Sequence, residues 1–190
     1  MQEPYSAPFY RMANDSQFET IYNGHKKLVY NMCLHYVLNA ADAQDITQEV
    51  FVKVYQKYHQ YDGTNASLKT WIYRITINHC LDFLKAKKTK KRFGFLHSLF
   101  QQDSNEPVTD VINFNHPGIE TEDKAALQNL LQIIYNLPPN QKTAIILSKI
   151  EGRPQKEVAE IMQMSVKAVE SLLQRAKQTI QKKLTESEGF

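Results

Sequence analysis

Apolar side chains in the first third of the chain recur at the three- and four-residue spacing of amphipathic helices. This spacing predicts a helix that begins at Asp15 or Ser16 and, after Gly24, a second helical run over 28–37. No stretch shows the period-two alternation that is typical of a strand. The first third of the chain is therefore predicted to be helical almost throughout.

The same periodicity continues in two further helices with a loop between them. Asp42 is predicted to begin a third helix, whose apolar residues recur every four positions over 46–58. The segment 61–67, YDGTNAS, has the glycine, asparagine, aspartate and serine content of a loop. Ser67 is the predicted N-cap of a fourth helix, which continues into a lysine-rich cluster.

The periodicity fails over 93–119, where prolines, glycines and scattered polar residues indicate a linker. The start of this linker is unusually apolar, since 93–100 holds three phenylalanines and two leucines. Either a short helix packed on one domain or a segment that docks on a partner fits that composition. The chain is predicted to be all-α, with two small helical domains at 1–92 and 120–190 joined by a flexible linker.

The most specific local pattern is a helix-turn-helix at 155–174. Such a motif needs a small residue where its two helices touch, and Ala159 occupies that position. Ser165 is the predicted N-cap of the second helix. Gln163 lies at the turn position where glycine is common, and a non-glycine residue there is expected to strain the backbone. The motif also needs apolar interior residues, and the candidates are Val158, Met162, Met164, Val169 and Leu172.

The second helix of this motif has a polar face. Polar side chains on such a helix can reach base edges and phosphates in the major groove of DNA. The alternative is an amphipathic helical hairpin whose polar face is merely solvated. The candidate DNA-binding residues are Ser165, Lys167, Glu170, Ser171, Gln174, Arg175 and Lys177.

Charge is distributed unevenly, although the net charge is only +3. The cluster 85–92 carries 6 basic and no acidic side chains, whereas 93–123 carries 6 acidic and no basic ones. The segment 138–184 carries 9 basic side chains against 4 acidic ones. Two cationic regions separated by an anionic stretch suggest two contacts with a polyanion.

Composition argues against several other classes of protein. No run of about 18 apolar residues predicts a membrane span, and the N-terminus lacks the basic and apolar segments of a secretory signal. Cys33 and Cys80 lie in apolar contexts, which favours buried thiols in a reducing cytoplasm. The histidines and cysteines lack metal-binding spacing, and no nucleophile motif or phosphate loop occurs. No cofactor, small-molecule substrate or enzymatic activity is therefore expected.

Three segments together resemble the sigma-70 family of bacterial RNA polymerase subunits, in its small extracytoplasmic-function (ECF) branch. Their order and spacing match that family over about residues 15–184, and they are DAQDITQEVFVKVY, ASLKTWIYRITINHCLDFLK and LPPNQKTAIILSKIEGRPQKEVAEIMQMSVKAVESLLQRAK. The resemblance implies a cytoplasmic sigma factor that directs core RNA polymerase to promoter DNA. In this branch an anti-sigma partner usually holds the protein inactive.

The resemblance implies that Asp45, Gln48, Glu49 and Val52 dock on the clamp helices of the polymerase's largest subunit. The spacing of Asp42, Asp45 and Glu49 independently puts three carboxylates on one face of the third helix, away from its apolar stripe. An acidic face with an apolar edge suits a basic partner. The alternative is an ordinary solvated helix surface.

The resemblance also implies that 61–78 recognises and melts the minus-10 promoter element. Melting requires flat side chains or pockets for unstacked bases, and cations for the backbone. Trp71 is either a wedge at the junction of duplex and single strand or an ordinary core anchor. The candidate minus-10 residues are Asn65, Lys69, Trp71, Arg74, Asn78, Lys85, Lys87 and Lys88.

For the C-terminal domain, the resemblance implies that the polar face of the helix-turn-helix binds the minus-35 element. Glu170 and Leu172 replace basic residues that many relatives carry, so a different base preference is expected. A plain transcriptional regulator is the alternative, with the first domain as a sensor or dimerisation unit. Such a regulator binds duplex DNA without polymerase, whereas a sigma factor of this kind needs it.

Overall fold

The computed structural model describes residues 7–100 and 121–188 of the chain, with side chains for 16–90 and 125–187. All secondary structure in these ranges is helical, which confirms the all-α prediction. The N-terminal domain consists of α1 (Ala7–Val37), α2 (Ala40–Lys57), a 3-10 turn (Tyr58–Gln60) and α3 (Leu68–Phe100). The C-terminal domain consists of α4 (Thr121–Tyr135), α5 (Pro139–Ile145), a π-helical turn (Ile146–Ile150), α6 (Gln155–Met162) and α7 (Val166–Glu188).

The predicted interruption at Gly24 is wrong, because α1 runs through it without a break. A glycine inside a helix costs about 0.5–1 kcal/mol relative to alanine. Buried apolar residues on both sides of it, Ile21 before and Val29 and Met32 after, hold the helix against the core. Tertiary packing thus outweighs the local preference.

The beginnings of the next two helices are set by side-chain caps. Asn39 caps α2, since its Oδ1 accepts a hydrogen bond of 3.0 Å from the amide of Asp42. The helix therefore begins two residues before the predicted start. Ser67 caps α3 as predicted, and its Oγ accepts a 3.1 Å bond from the amide of Thr70.

The domain boundary predicted after residue 92 falls inside α3, which continues to Phe100. The apolar segment 93–100 therefore belongs to the end of a long helix, although its side chains lie outside the described residues. Residues 101–119 of the predicted linker also lie outside them.

One hydrophobic core extends through both domains. Its N-terminal part is the apolar stripe of α2 packed on α1 and α3, with Ile46, Val50 and Ile72 almost fully buried. The same cluster continues into Leu147 of the π-helical turn and Val158 of α6. The two domains are therefore packed together, which the sequence did not predict.

Cys33 and Cys80 are buried free thiols, as expected, with their Sγ atoms 3.8 Å apart between α1 and α3. Both side chains are fully buried within the core cluster. They thus serve as small apolar residues at the packing surface of these two helices.

Candidate polymerase- and DNA-binding surfaces

The four residues predicted to bind polymerase lie together on the outer face of α2. Asp45, Gln48 and Glu49 are exposed, and Val52 is 55% exposed. These residues, with Lys53 and Gln56, line a shallow groove with a volume of about 500 Å³. We call the surface formed by Asp45, Gln48, Glu49 and Val52 the acidic face.

Asp42 does not join this face, although its spacing predicted that it would. Its carboxylate accepts a 3.0 Å hydrogen bond from Nζ of Lys87, and the two side chains are about one-third exposed. The pair ties the start of α2 to α3. Lys87, which was predicted to contact DNA phosphates, is thus already engaged with a carboxylate, whereas Lys85 and Lys88 are exposed.

His79 of α3 reaches across to the acidic face. Its Nε2 lies 2.5 Å from Oε2 of Glu49, and its Nδ1 lies 2.7 Å from Nζ of Lys53. A neutral imidazole satisfies both contacts, because Nδ1 accepts from the ammonium while Nε2–H donates to the carboxylate. The sequence analysis excluded metal binding by the histidines and gave His79 no other role, since no local pattern links it to Glu49.

The loop before α3 has an ordered conformation that leaves Asn65 exposed. The Tyr61 hydroxyl donates to the carbonyl of Ala66 at 3.0 Å, and Asp62 Oδ1 accepts from the amide of Thr64 at 2.9 Å. The bonds from Thr64 hold the pKa of Asp62 below its usual value. Gly63 has φ = 73°, a left-handed conformation that favours glycine.

Three aromatic rings stand in a row beside this loop. Tyr61 lies 5.3 Å from Trp71 and 6.3 Å from Tyr58, measured between ring centroids. Trp71 is half-buried and packs against the core, so it is an anchor that still presents part of its ring at the surface. The sequence analysis gave no DNA-binding role to Tyr58 or Tyr61, although Tyr61 begins the predicted loop and Tyr58 lies three residues before it.

Arg74 and Asn78 face the C-terminal domain. The Arg74 guanidinium donates to two backbone carbonyls at the end of α6, from Nη2 to Glu160 at 2.8 Å and from Nε to Ile161 at 3.4 Å. Asn78 lines a cavity of about 130 Å³ between the domains, with Asn140 and Gln163 on the opposite side. Arg74 is thus engaged by the C-terminal domain, whereas Asn78 is exposed and Lys69 is half-buried near the start of α3.

The helix-turn-helix has the local structure that its sequence predicts. Gln163 ends α6 in the left-handed region with φ = 55°, and the amide of Met164 donates to the carbonyl of Ala159 at 3.0 Å. Ser165 caps α7 by accepting a 3.2 Å bond from the amide of Ala168. A non-glycine residue thus adopts the backbone conformation that glycine commonly supplies.

The candidate DNA-contacting side chains of α7 are mostly free to reach a partner, since Lys167, Glu170, Gln174, Arg175 and Lys177 are exposed. Ser171 is half-buried, and its hydroxyl donates to the carbonyl of Lys167 within the helix. On the side of the motif that faces the core, Val158 and Val169 are buried as predicted. Ile161, which was not among the predicted interior residues, is also buried. Met162, Met164 and Leu172 are half-buried.

Within 16–90 and 125–187, no group of three or more histidine, cysteine, aspartate or glutamate side chains is placed to hold a metal ion. None of the helices described has the length and apolar character to cross a bilayer. A two-domain helical fold with a helix-turn-helix in its C-terminal domain is typical of DNA-binding transcription factors.

Comparison with family models identifies the family within this class. A model of sigma-70 region 2 matches residues 21–90, and a model of sigma-70 region 4 matches 127–180. The chain belongs to the sigma-70 family, in its extracytoplasmic-function branch, and is a transcription initiation factor.

Curated relatives match over most of their length. The RNA polymerase sigma-H factor of Pseudomonas aeruginosa is 29% identical over 88% of this chain and 86% of its own length. The ECF RNA polymerase sigma-E factor of Haemophilus influenzae is also 29% identical, over 88% of this chain and 87% of its own. The ECF sigma factor SigW of Bacillus subtilis is 27% identical over 92% of each chain.

Two solved structures share the fold. CnrH, in complex with the cytosolic domain of CnrY, matches with a TM-score of 0.59 and 19% identity over 90% of each chain. The sigma factor RpoE of Bartonella quintana, in complex with the anti-sigma factor NepR, matches with a TM-score of 0.60 and 18% identity over 89% of this chain and 97% of its own.

Proposed function

We propose that the protein docks on core RNA polymerase through the acidic face and reads a promoter at two places. The exposed combination of Asp45, Gln48, Glu49 and Val52 carries this proposal, because an acidic surface with an apolar edge suits a basic, partly apolar partner helix. The loop 61–67 and α3 are proposed to bind the minus-10 element, and α7 the minus-35 element. The protein acts in this proposal as a cytoplasmic regulatory subunit without enzymatic activity.

A comparison of promoter binding with and without core polymerase tests this function. Promoters are first identified by run-off transcription of a genomic fragment library with reconstituted holoenzyme. Binding of those fragments is then measured for the protein alone and for the holoenzyme. We expect sequence-specific binding only with core polymerase. Equal specificity for the protein alone would identify a plain transcriptional regulator instead.

We also propose that an anti-sigma protein binds this chain. The Bartonella RpoE, which shares the fold of both domains, was solved in complex with the anti-sigma factor NepR. CnrH, with the same fold, was solved in complex with the cytosolic domain of CnrY. Co-purification of the tagged chain from its source cells, followed by mass spectrometry, tests this. Capture of core polymerase subunits alone, under inducing and non-inducing conditions, would count against the anti-sigma partner.

His79 is expected to position Glu49 for polymerase binding. Replacing His79 with Leu removes the contacts to Glu49 and Lys53, and a net hydrogen bond is worth about 0.5–1.5 kcal/mol. We therefore expect His79→Leu to weaken core binding roughly 2- to 10-fold, measured as Kd by fluorescence anisotropy. His79→Gln should restore most of the affinity, since an amide both donates and accepts. Equal losses for the two variants would contradict a positioning role.

Arg175 and Lys177 are expected to differ in how they bind minus-35 DNA. If Arg175 reads a base, Arg175→Ala costs about 1–3 kcal/mol and relaxes the preference at one position. Lys177→Ala should weaken binding to all DNA sequences by the same factor. It should also reduce the slope of log affinity against log salt concentration by about 1. Lys182→Ala is the matched control, because Lys182 lies further along α7 and pairs with Glu186 at 3.9 Å. Salt-independent losses of equal size for Arg175 and Lys177 would argue against both roles.

A further inference from the structure

Glu170 carries an exposed carboxylate on the helix that is proposed to enter the major groove. It lies in the second turn of α7, four residues after Val166 and four before Gln174, and all three side chains are exposed. The core side of the same helix includes Val169 and Ala176, which are fully buried. Side chains in the first turns of a recognition helix are the ones that reach base edges. Glu170 therefore lies where a base-reading side chain is expected.

The Glu170 carboxylate is unpaired in the part of the chain that the structure describes. Among the side chains of 16–90 and 125–187, none forms a hydrogen bond or an ion pair with it. By contrast, Glu157 lies 3.6 Å from Arg153 and Glu186 lies 3.9 Å from Lys182. The oxygens of Glu170 are therefore available to accept hydrogen bonds from a ligand.

An acidic side chain at this place opposes the binding of DNA in general. The exposed cations Lys167, Arg175 and Lys177 attract the phosphates of any duplex, whatever its sequence. Glu170 repels the same phosphates, because like charges are brought together. A base that donates a hydrogen bond to the carboxylate offsets this repulsion, and a base that only accepts adds to it. Glu170 is therefore better suited to discriminate between sequences than to add affinity for all of them.

The donor pattern of the major groove decides which base suits a carboxylate. Only cytosine, through its N4 amino group, and adenine, through its N6 amino group, present a donor there. The adenine amino group lies between two acceptors, its own N7 and O4 of the paired thymine, and both repel a carboxylate. The cytosine amino group has an acceptor on one side only, O6 of the paired guanine. Cytosine is therefore the base that Glu170 fits best.

We propose that Glu170 selects a cytosine in the minus-35 element and excludes guanine and thymine from the same position of that strand. The inference rests on the proposed binding of α7 to the minus-35 element. Glu170 then acts as a specificity-determining residue, since the wrong base leaves both the carboxylate and the acceptors of the base without a donor. A well-formed contact of this kind discriminates between bases by about 5- to 150-fold.

The experiment uses the full chain in the reconstituted holoenzyme. The minus-35 region of an identified promoter is prepared with every single base-pair substitution, and relative affinities are measured by competition binding. The variants are Glu170→Gln and Glu170→Arg, which should keep the wild-type Tm because Glu170 is exposed. Glu186→Gln and Glu186→Arg are the matched controls, since Glu186 lies roughly 24 Å further along the same helix.

The wild-type holoenzyme is expected to prefer cytosine over guanine at one position by about 5- to 150-fold. Glu170→Gln should shift the preference at that position towards adenine, whose N6 and N7 pair with an amide. Glu170→Arg should shift it towards guanine, whose O6 and N7 accept from a guanidinium. Preferences at the other positions should not change, and both Glu186 variants should keep the preference for cytosine.

Three results would overturn this role of Glu170. They are unchanged base preferences in both Glu170 variants, a loss spread evenly over all positions, and a shift at a position where the wild type prefers a base other than cytosine. Each of them would leave the binding of α7 to the minus-35 element intact. If the wild-type holoenzyme shows no base preference anywhere in the minus-35 region, the proposed function of α7 itself fails.

Discussion

Asp45→Arg together with Gln48→Ala is expected to abolish binding to core polymerase without unfolding the protein. Both side chains are exposed on α2, so their replacement leaves the core packing unchanged. Reversing a charge at the centre of a complementary interface costs several kcal/mol, because like charges are then brought together. A loss of binding of at least about 100-fold is expected, measured by fluorescence anisotropy with labelled protein and purified core enzyme.

The control variant makes the same two kinds of substitution, an acidic residue to Arg and a Gln to Ala, on another helix of the domain. Glu19→Arg with Gln17→Ala changes an exposed glutamate and an exposed glutamine of α1. This variant should bind core polymerase normally, and both proteins should keep the wild-type circular dichroism and Tm. If the Asp45 and Gln48 variant co-purifies core polymerase at wild-type yield, the acidic face is not the polymerase-binding surface.

Asn65→Ala is expected to slow promoter opening roughly tenfold or more while leaving initial promoter binding nearly unchanged. Loss of the Asn65 amide leaves a polar group of the captured base without its partner, which costs about 1–3 kcal/mol, and 1.36 kcal/mol corresponds to a factor of ten in rate. Asn65 is exposed in an ordered loop, so its replacement should not lower the Tm. Permanganate reactivity of promoter thymines, followed over time, measures the opening.

Two templates make the opening experiment decisive, one fully duplex and one with a pre-melted bubble. A defect on the duplex that is relieved by the bubble supports capture of the melted strand by residues 61–78. Asn23→Ala, on the exposed surface of α1, is the matched control. Equal defects on both templates, together with unchanged affinity for single-stranded minus-10 DNA, would exclude the loop as the capture site.

Substitutions of Trp71 and Asn78 are also expected to affect promoter opening. Trp71→Ala should slow opening, but it also removes a half-buried ring from the core, so it should lower the Tm as well. Asn78→Ala should slow opening without lowering the Tm, because Asn78 is exposed. If Trp71 is only an anchor, the folded fraction of Trp71→Ala will open promoters at the wild-type rate.

The parts of the fold that depend on neighbouring residues were predictable from the sequence. The four-residue stripe of α2, the caps at Ser67 and Ser165 and the left-handed Gln163 all follow from local periodicity and side-chain chemistry. Gly24 was misjudged because its helix is held by core contacts on both sides rather than by local propensity.

The parts of the candidate surfaces that depend on distant residues were not predictable in the same way. His79 meets Glu49 across 30 residues, and Arg74 meets the end of α6 across more than 80. Such pairs leave no trace in the spacing of either partner. The sequence therefore supplied candidate side chains for each surface, whereas the three-dimensional structure was needed to find what those side chains already contact.

The length of α3 fixes a distance along DNA. An α-helix rises about 1.5 Å per residue, so Trp71 and Lys88 are separated by roughly 26 Å along one straight element. Base pairs of B-form DNA are stacked about 3.4 Å apart, so this separation corresponds to roughly seven or eight of them. A promoter lying along α3 would therefore have its duplex phosphates near Lys88 about three-quarters of a helical turn away from the base pair that meets Trp71.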